Sequence, residues 1–152
     1  MTASGAGKRI VSSLDGDLWH GPSLWELLED VTPEVAGSKP VPNGHSIWEI
    51  VLHLTTWVDK AITALDGTMV PKWPFPEDWP AVEGEWKTAR QNLALAIRRL
   101  GMRLENTSDG VLQSIVPGRD HSFDYMLDGL VQHSAYHAGQ IAMLKRASEK
   151  SA

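Results

Sequence analysis

Apolar residues return every three to four positions along three stretches of the chain. Between Ser46 and Leu65 they are Ile47, Ile50, Val51, Leu54, Val58, Ala61 and Leu65. A second stripe runs Val82, Trp86, Ala89, Leu93, Ala96, Leu100 and Leu104, and a third runs Phe123, Leu127, Leu130, Ser134, His137, Ile141 and Leu144. This period puts each set on one face of an α-helix. "SIWE" reads as a capping box, Ser46 accepting from the first turn and Glu49 reaching back, and Asp66-Gly67 supplies a stop. "PSLWELLEDV" holds another such box, Ser23 with Glu26, and predicts a shorter helix ending before Thr32. No stretch alternates with period two. The expected fold is all-α, a bundle of four main helices.

The connections add a topology. "GTMVPKWPFPEDWPA" carries four prolines, which forbid helix, and it is longer than a usual bundle connection. At ~3.3 Å per residue it can run the ~30 Å length of a 20-residue helix, so helices two and three are expected to lie parallel. "ENTSDGVLQSIVPGRDH" is also long and is expected to add a turn or a short extended piece.

Composition narrows the class. With 152 residues, 42 % of them hydrophobic and 22 % charged, the chain is sized for one compact domain, 1–152, with its own core. No apolar run reaches ~18 residues, and "MTASGAGKRIVSSLDGD" lacks a signal peptide's hydrophobic region, so a soluble, cytoplasmic protein with no membrane partner is expected. A net charge of −5 without a basic run argues against nucleic acid as a partner. Cysteine is absent, which removes disulfides, thiolate ligands and a protein-borne thiol nucleophile together. The six histidines remain as the good borderline-soft ligands.

In "QHSAYHAGQ", His133 and His137 stand four apart, which stacks both imidazoles on one helix face. His137 lies on the apolar seam, with His133 one turn earlier. Such a spacing occurs often by chance, so the pair reads either as metal ligands or, more commonly, as satisfied core or surface histidines. His53, in "SIWEIVLHLTTW", flanks an apolar stripe; alone it reads as a hydrogen-bonded core residue. Three inward-facing histidines on two helices read either as the three protein ligands of an open metal site or as separately satisfied core residues.

The segments "WHGPSLWELL", "GHSIWEIVLHLTTW" and "VQHSAYHAGQIAML", in this order, resemble the DinB/YfiT-like superfamily of four-helix-bundle metalloproteins. The resemblance covers roughly Leu18 to Arg146 and takes these as the core. It implies an up-down-down-up bundle and one divalent ion, commonly nickel or zinc, held by His53, His133 and His137. It also implies a small-molecule substrate, with low-molecular-weight thiols such as bacillithiol or mycothiol as co-substrates in some relatives, hydrolysis in others, and a homodimer.

Other residues carry two readings each. His20 is either a proton shuttle at the site mouth or a polar residue before a helix start. His45 and His121 each precede a serine that reads as an N-cap, which makes them entry residues. Glu49 could orient His53, although capping already explains it; Gln140 could bond a metal-bound water or simply another helix group. Asp59 and Asp128 read as solvated helix charges, and Tyr136 points about 100° away from His137 around the helix. Trp73, Phe75 and Trp79 form either a lid over an apolar substrate or the packing that pins the crossover. Arg103 and Arg119 either receive an anionic group or cap carbonyls. "HSAYH" places no carboxylate between its histidines, unlike the His-Glu-x-x-His of many metalloproteases, which counts against peptide hydrolysis. Two function classes follow: an enzyme whose open metal positions activate water or an external thiol, and a non-catalytic bundle in which the ion fixes the helices.

Overall fold

The computed structural model describes residues 2–149. Among these there are six α-helices, α1 (Ala3–Asp15), α2 (Leu24–Leu28), α3 (Pro33–Gly37), α4 (Ile47–Leu65), α5 (Trp86–Glu105) and α6 (Phe123–Glu149), with 3₁₀ turns at Pro76–Asp78 and Asp109–Gln113 and no strand. The all-α expectation holds. The capping box at Ser46 and Glu49 forms, with Ser46 N 2.7 Å from Glu49 Oε2 and Glu49 N 3.1 Å from Ser46 Oγ. Gly67 stands at φ +88, the left-handed region that ends a helix most easily with glycine.

The first long helix is not the expected one. "PSLWELLEDV" has its capping box at Ser23 and Glu26 but closes after Leu28, a single turn and a half. The long element is α1, thirteen residues from a stretch read above only for its lack of a signal sequence. Ala3, Ala6, Ile10 and Leu14 are at most 3 % exposed and join the same core as α4, α5 and α6, so this core reaches past the expected boundary at residue 18. Helix α5 also starts later than its stripe: Val82 is exposed, and Glu85 is the N-cap before Trp86.

Helix α5 packs on α1 and α4, and α6 packs on the same two. Trp48 meets Trp86 with ring centroids 5.6 Å apart, near the start of both α4 and α5, and Arg103 Nη2 lies 3.1 Å from Asp66 Oδ1 near the end of both. Arg98 Nη2 lies 2.7 Å from Asp15 Oδ2. Where α1 and α5 come closest, both present glycine. A Cβ on Gly7 would sit 3.0 Å from the Gly101 carbonyl oxygen, and one on Gly101 would sit 2.5 Å from Val11 Cγ2.

The proline-rich connection is tied down near its start and again at its middle. Val70 N donates to Pro117 O at 2.9 Å, and Val70 shares a small buried cluster with Ala64, Val116 and Phe123. Phe75 is buried against Trp57. The second connection gives the expected turn and extended piece, a 3₁₀ turn at Asp109–Gln113 and an isolated antiparallel bridge between Ile115 and Ser122. No helix among the described residues is long and apolar enough to cross a membrane.

Candidate metal centre

The i, i+4 spacing on α6 brings His133 and His137 to one face, and α4 delivers His53 opposite them. His53 Nε2 lies 3.0 Å from His133 Nε2, and His137 Nε2 lies 2.9 Å from the same atom. Three imidazole nitrogens from two helices thus converge on one point. His53 and His137 are buried and His133 is half-buried, so the cluster faces outward on the His133 side.

The far side of two rings is fixed by acceptors. His53 Nδ1 lies 2.7 Å from the Asp78 carbonyl oxygen and 3.2 Å from Asp78 Oδ1, and His137 Nδ1 lies 2.6 Å from Gln140 Oε1. These oxygens can only accept, so Nδ1 carries the proton in both neutral rings and Nε2 presents a lone pair. His133 Nε2 sits between the two lone pairs and can donate to only one of them. An unmatched lone pair in a desolvated place is costly. A cation at the point of convergence satisfies all three nitrogens, and the donor set fits a borderline divalent ion.

Asp78 was missed by the pattern of the sequence, since an acid in a proline-rich loop has no period to mark it. Its carboxylate is buried and accepts from Trp57 Nε1 at 2.8 Å and Trp73 Nε1 at 3.1 Å. The neighbouring Trp79 lies flat between two imidazoles, with centroids 3.9 Å from His53 and 3.5 Å from His45. The crossover is therefore packed onto the site through Phe75, Asp78 and Trp79, while Trp73 stays exposed. Glu49 does not orient His53: besides its capping role it pairs with Lys39 at 2.8 Å. Gln140 holds His137 within its own helix. His20 is exposed and lines a small crevice beside Ser134 and Ala138, away from the three nitrogens. His121 rests on Tyr125, whose backbone N–H lies 3.3 Å from the Oγ of Ser122. Tyr136 is exposed, and Arg103 pairs with Asp66.

One cleft reaches the cluster directly, and a second borders Gln140, the partner of His137. One of about 210 Å³ is lined by Trp57, Arg119, His121, Tyr125, Met126, Gly129, Leu130 and His133. The other, about 450 Å³, is lined by His45, Ile50, Tyr136, Gln140, Met143 and neighbours, and by none of the three histidines. A hollow of about 520 Å³ between Asp15 and Glu26 is larger and contains neither the three histidines nor their bonded partners Asp78 and Gln140.

Burial holds all three imidazoles below their ordinary range. For His53 it outweighs the opposing effect of Asp78, and for His137 that of Gln140. His133 is pushed down to about 4, by burial first and then by the two neighbouring rings. All three are neutral at pH 7, as ligation requires. Unfolding returns each to about 6.5, so between pH 6.5 and 4 the unfolded chain binds more protons than the folded one. The metal-free protein is expected to keep this contribution above pH 6.5 and to lose stability as pH falls toward 4. Urea midpoints in chelator from pH 7.5 to 4.5 measure it, and a flat profile across that window contradicts the burial of these rings.

An all-helical protein with three histidines positioned to hold one metal ion is the class that fold and site define. The sequence model of the DinB superfamily matches residues 19–141, a span that includes His53, His133 and His137. The chain belongs to the DinB superfamily. Comparison with curated proteins and with solved structures gave no match.

Proposed function

We propose that the protein is a divalent-metal-dependent enzyme in which His53, His133 and His137 hold one zinc or nickel ion, and that it transfers an external low-molecular-weight thiol to an electrophilic small molecule. The observation that carries the reading is the open cluster: three histidines converge, and among the described residues no fourth His, Asp or Glu groups with them. Structural zinc sites are closed by four protein ligands, whereas catalytic ones keep a position for water or substrate. When bound, such an ion lowers the pKa of a coordinated water or thiol toward neutrality.

The chain's own residues then have definable tasks. Asp78 and Gln140 keep the protons of His53 and His137 on Nδ1, so Nε2 faces inward. Trp57 and Trp79 pack around the cluster and exclude water from its loop side. The Asp78 carboxylate sits on the outer side of His53 and already accepts from two indoles, which leaves it badly placed as a base for water. A thiol needs that base less than water does, because it ionises far more readily. The thiol has to come from outside, since the chain has no cysteine.

The reading takes the four long helices as an up-down-down-up bundle. It is supported by the order of contacts: Trp48 with Trp86 and Asp66 with Arg103 run in the same sense, whereas Asp15 meets Arg98 and Gly7 meets Gly101.

Metal-loaded protein assayed against electrophiles with bacillithiol, mycothiol and other small thiols is expected to turn over only when thiol is added. Thiol-free controls separate transfer from hydrolysis, and turnover indifferent to thiol overturns the transfer reading. A second expectation concerns Asp78→Asn. The backbone carbonyl on His53 remains, so metal affinity should fall about tenfold, the lower end of the effect of losing a ligand's outer partner. Competition titration with a chromophoric chelator measures it; unchanged affinity removes the orienting role.

A further inference from the structure

The cleft of about 210 Å³ beside His133 has walls of two kinds. Trp57, Met126 and Leu130 give it an apolar body, and Gly129 leaves the α6 wall open, with nothing within 4 Å of where a Cβ would stand. His133, the most accessible of the three clustered histidines, also lines it. Arg119 is the one cationic side chain fixed in charge among its lining residues.

Arg119 is held in place. Its backbone N–H donates to Val116 O at 2.9 Å, and its Nη1 donates to Pro71 O at 2.7 Å. The preceding Gly118 stands at φ +79, where a Cβ would lie 2.8 Å from Val70 O, so the turn that presents the arginine admits only glycine without strain. One of five guanidinium N–H groups is thereby used, and among the described residues no carboxylate pairs with the others. The nearby Asp120 side chain is fully exposed and lies 3.6 Å from His121 Nδ1 rather than on Arg119. A half-buried arginine with a tethered guanidinium and unspent donors, lining an otherwise largely apolar slot, suits a planar anion.

We infer that this cleft binds a small molecule with an apolar body and a terminal carboxylate, the carboxylate on Arg119 and the opposite end at His133. The cleft volume lies below the ~300–1,000 Å³ usual for drug-sized ligands, which points to a compact metabolite rather than a peptide. The proposal deepens the enzyme reading by naming a substrate class, but binding alone tests it.

The probes are 3-phenylpropanoate and its neutral amide, titrated into ¹⁵N-labelled protein with and without one equivalent of zinc. The acid is expected to shift the Trp57 indole and Gly129 amide signals and to bind at least about tenfold tighter than the amide, as a charge-assisted pair requires. Arg119→Gln should bring the acid down to the amide's affinity and leave the amide unchanged, which also shows that the variant is folded; Arg119→Lys should recover part of the difference. Equal affinities of acid and amide, shifts elsewhere on the molecule, or acid binding that survives Arg119→Gln overturn the assignment. Acid binding lost on chelation but kept in Arg119→Gln places the carboxylate on the ion and likewise overturns it. Failure of thiol turnover with these binding results intact would sink the reaction proposed above and leave the cleft assignment standing.

Discussion

His133→Ala is expected to weaken the binding of the proposed divalent ion by more than about 100-fold, since loss of a ligand's outer partner alone costs 10–100-fold. His133 is the central member of the cluster, with its Nε2 within 3.0 Å of His53 Nε2 and 2.9 Å of His137 Nε2. Without it two lone pairs remain on opposite helices with no third donor between them. The fold should survive, because His133 is half-buried and its truncation opens the cavity to the adjoining cleft, where water can enter. Helical circular dichroism unchanged from the parent, together with a competition titration, gives the result. Stoichiometric metal at parental affinity would remove the three-histidine ligand set.

Leu14→Ala should cost about 2–5 kcal/mol of stability, the range for emptying a fully buried leucine site. Leu14 is 1 % exposed and belongs to the core shared with α4, α5 and α6. The cavity would lie in α1, a helix that carries none of the three histidines, so the metal affinity of the folded fraction should stay at the parental value. Urea unfolding monitored by tryptophan fluorescence measures the loss. A change below about 1 kcal/mol, ordinary for a surface site, would mean that α1 is not part of this core.

The two predictions fall on the best-read and the worst-read parts of the sequence. The histidines were legible because helical periodicity converts spacing directly into direction: His133 and His137 had to share a face, and His53 had to flank the seam of α4. Helix α1 was illegible for a physical reason. Its buried positions are Ala3, Ala6, Gly7, Ile10, Ser13 and Leu14, correctly spaced for a helix but mostly small, so the apolar stripe that marks other helices is faint. Small residues were the requirement there, since Gly7 and Gly101 meet where side chains would collide. "PSLWELLEDV" was read correctly as a short helix with its cap at Ser23 and Glu26, but it closes at Leu28, short of the expected end before Thr32. Asp78 lay beyond any local rule, because its partners His53 and Trp57 are 25 and 21 residues away and only the folded crossover brings them together.

The distance along the chain between His53 and His133, 80 residues, bears on when the cluster can exist. Local helix formation does not assemble the whole of it: α6 alone brings His133 and His137 together, α4 carries a single imidazole, and joining them closes one of the long loops in the fold. Such contacts form late, after the entropy of closure has been offset by the packing of intervening segments. An ion of the proposed kind would therefore find at most two of its three ligands together on the early folding chain, and its capture by the full set would mark arrival of the native state. Stopped-flow metal uptake by refolding protein should lag helix formation by the time taken to dock α4 on α6.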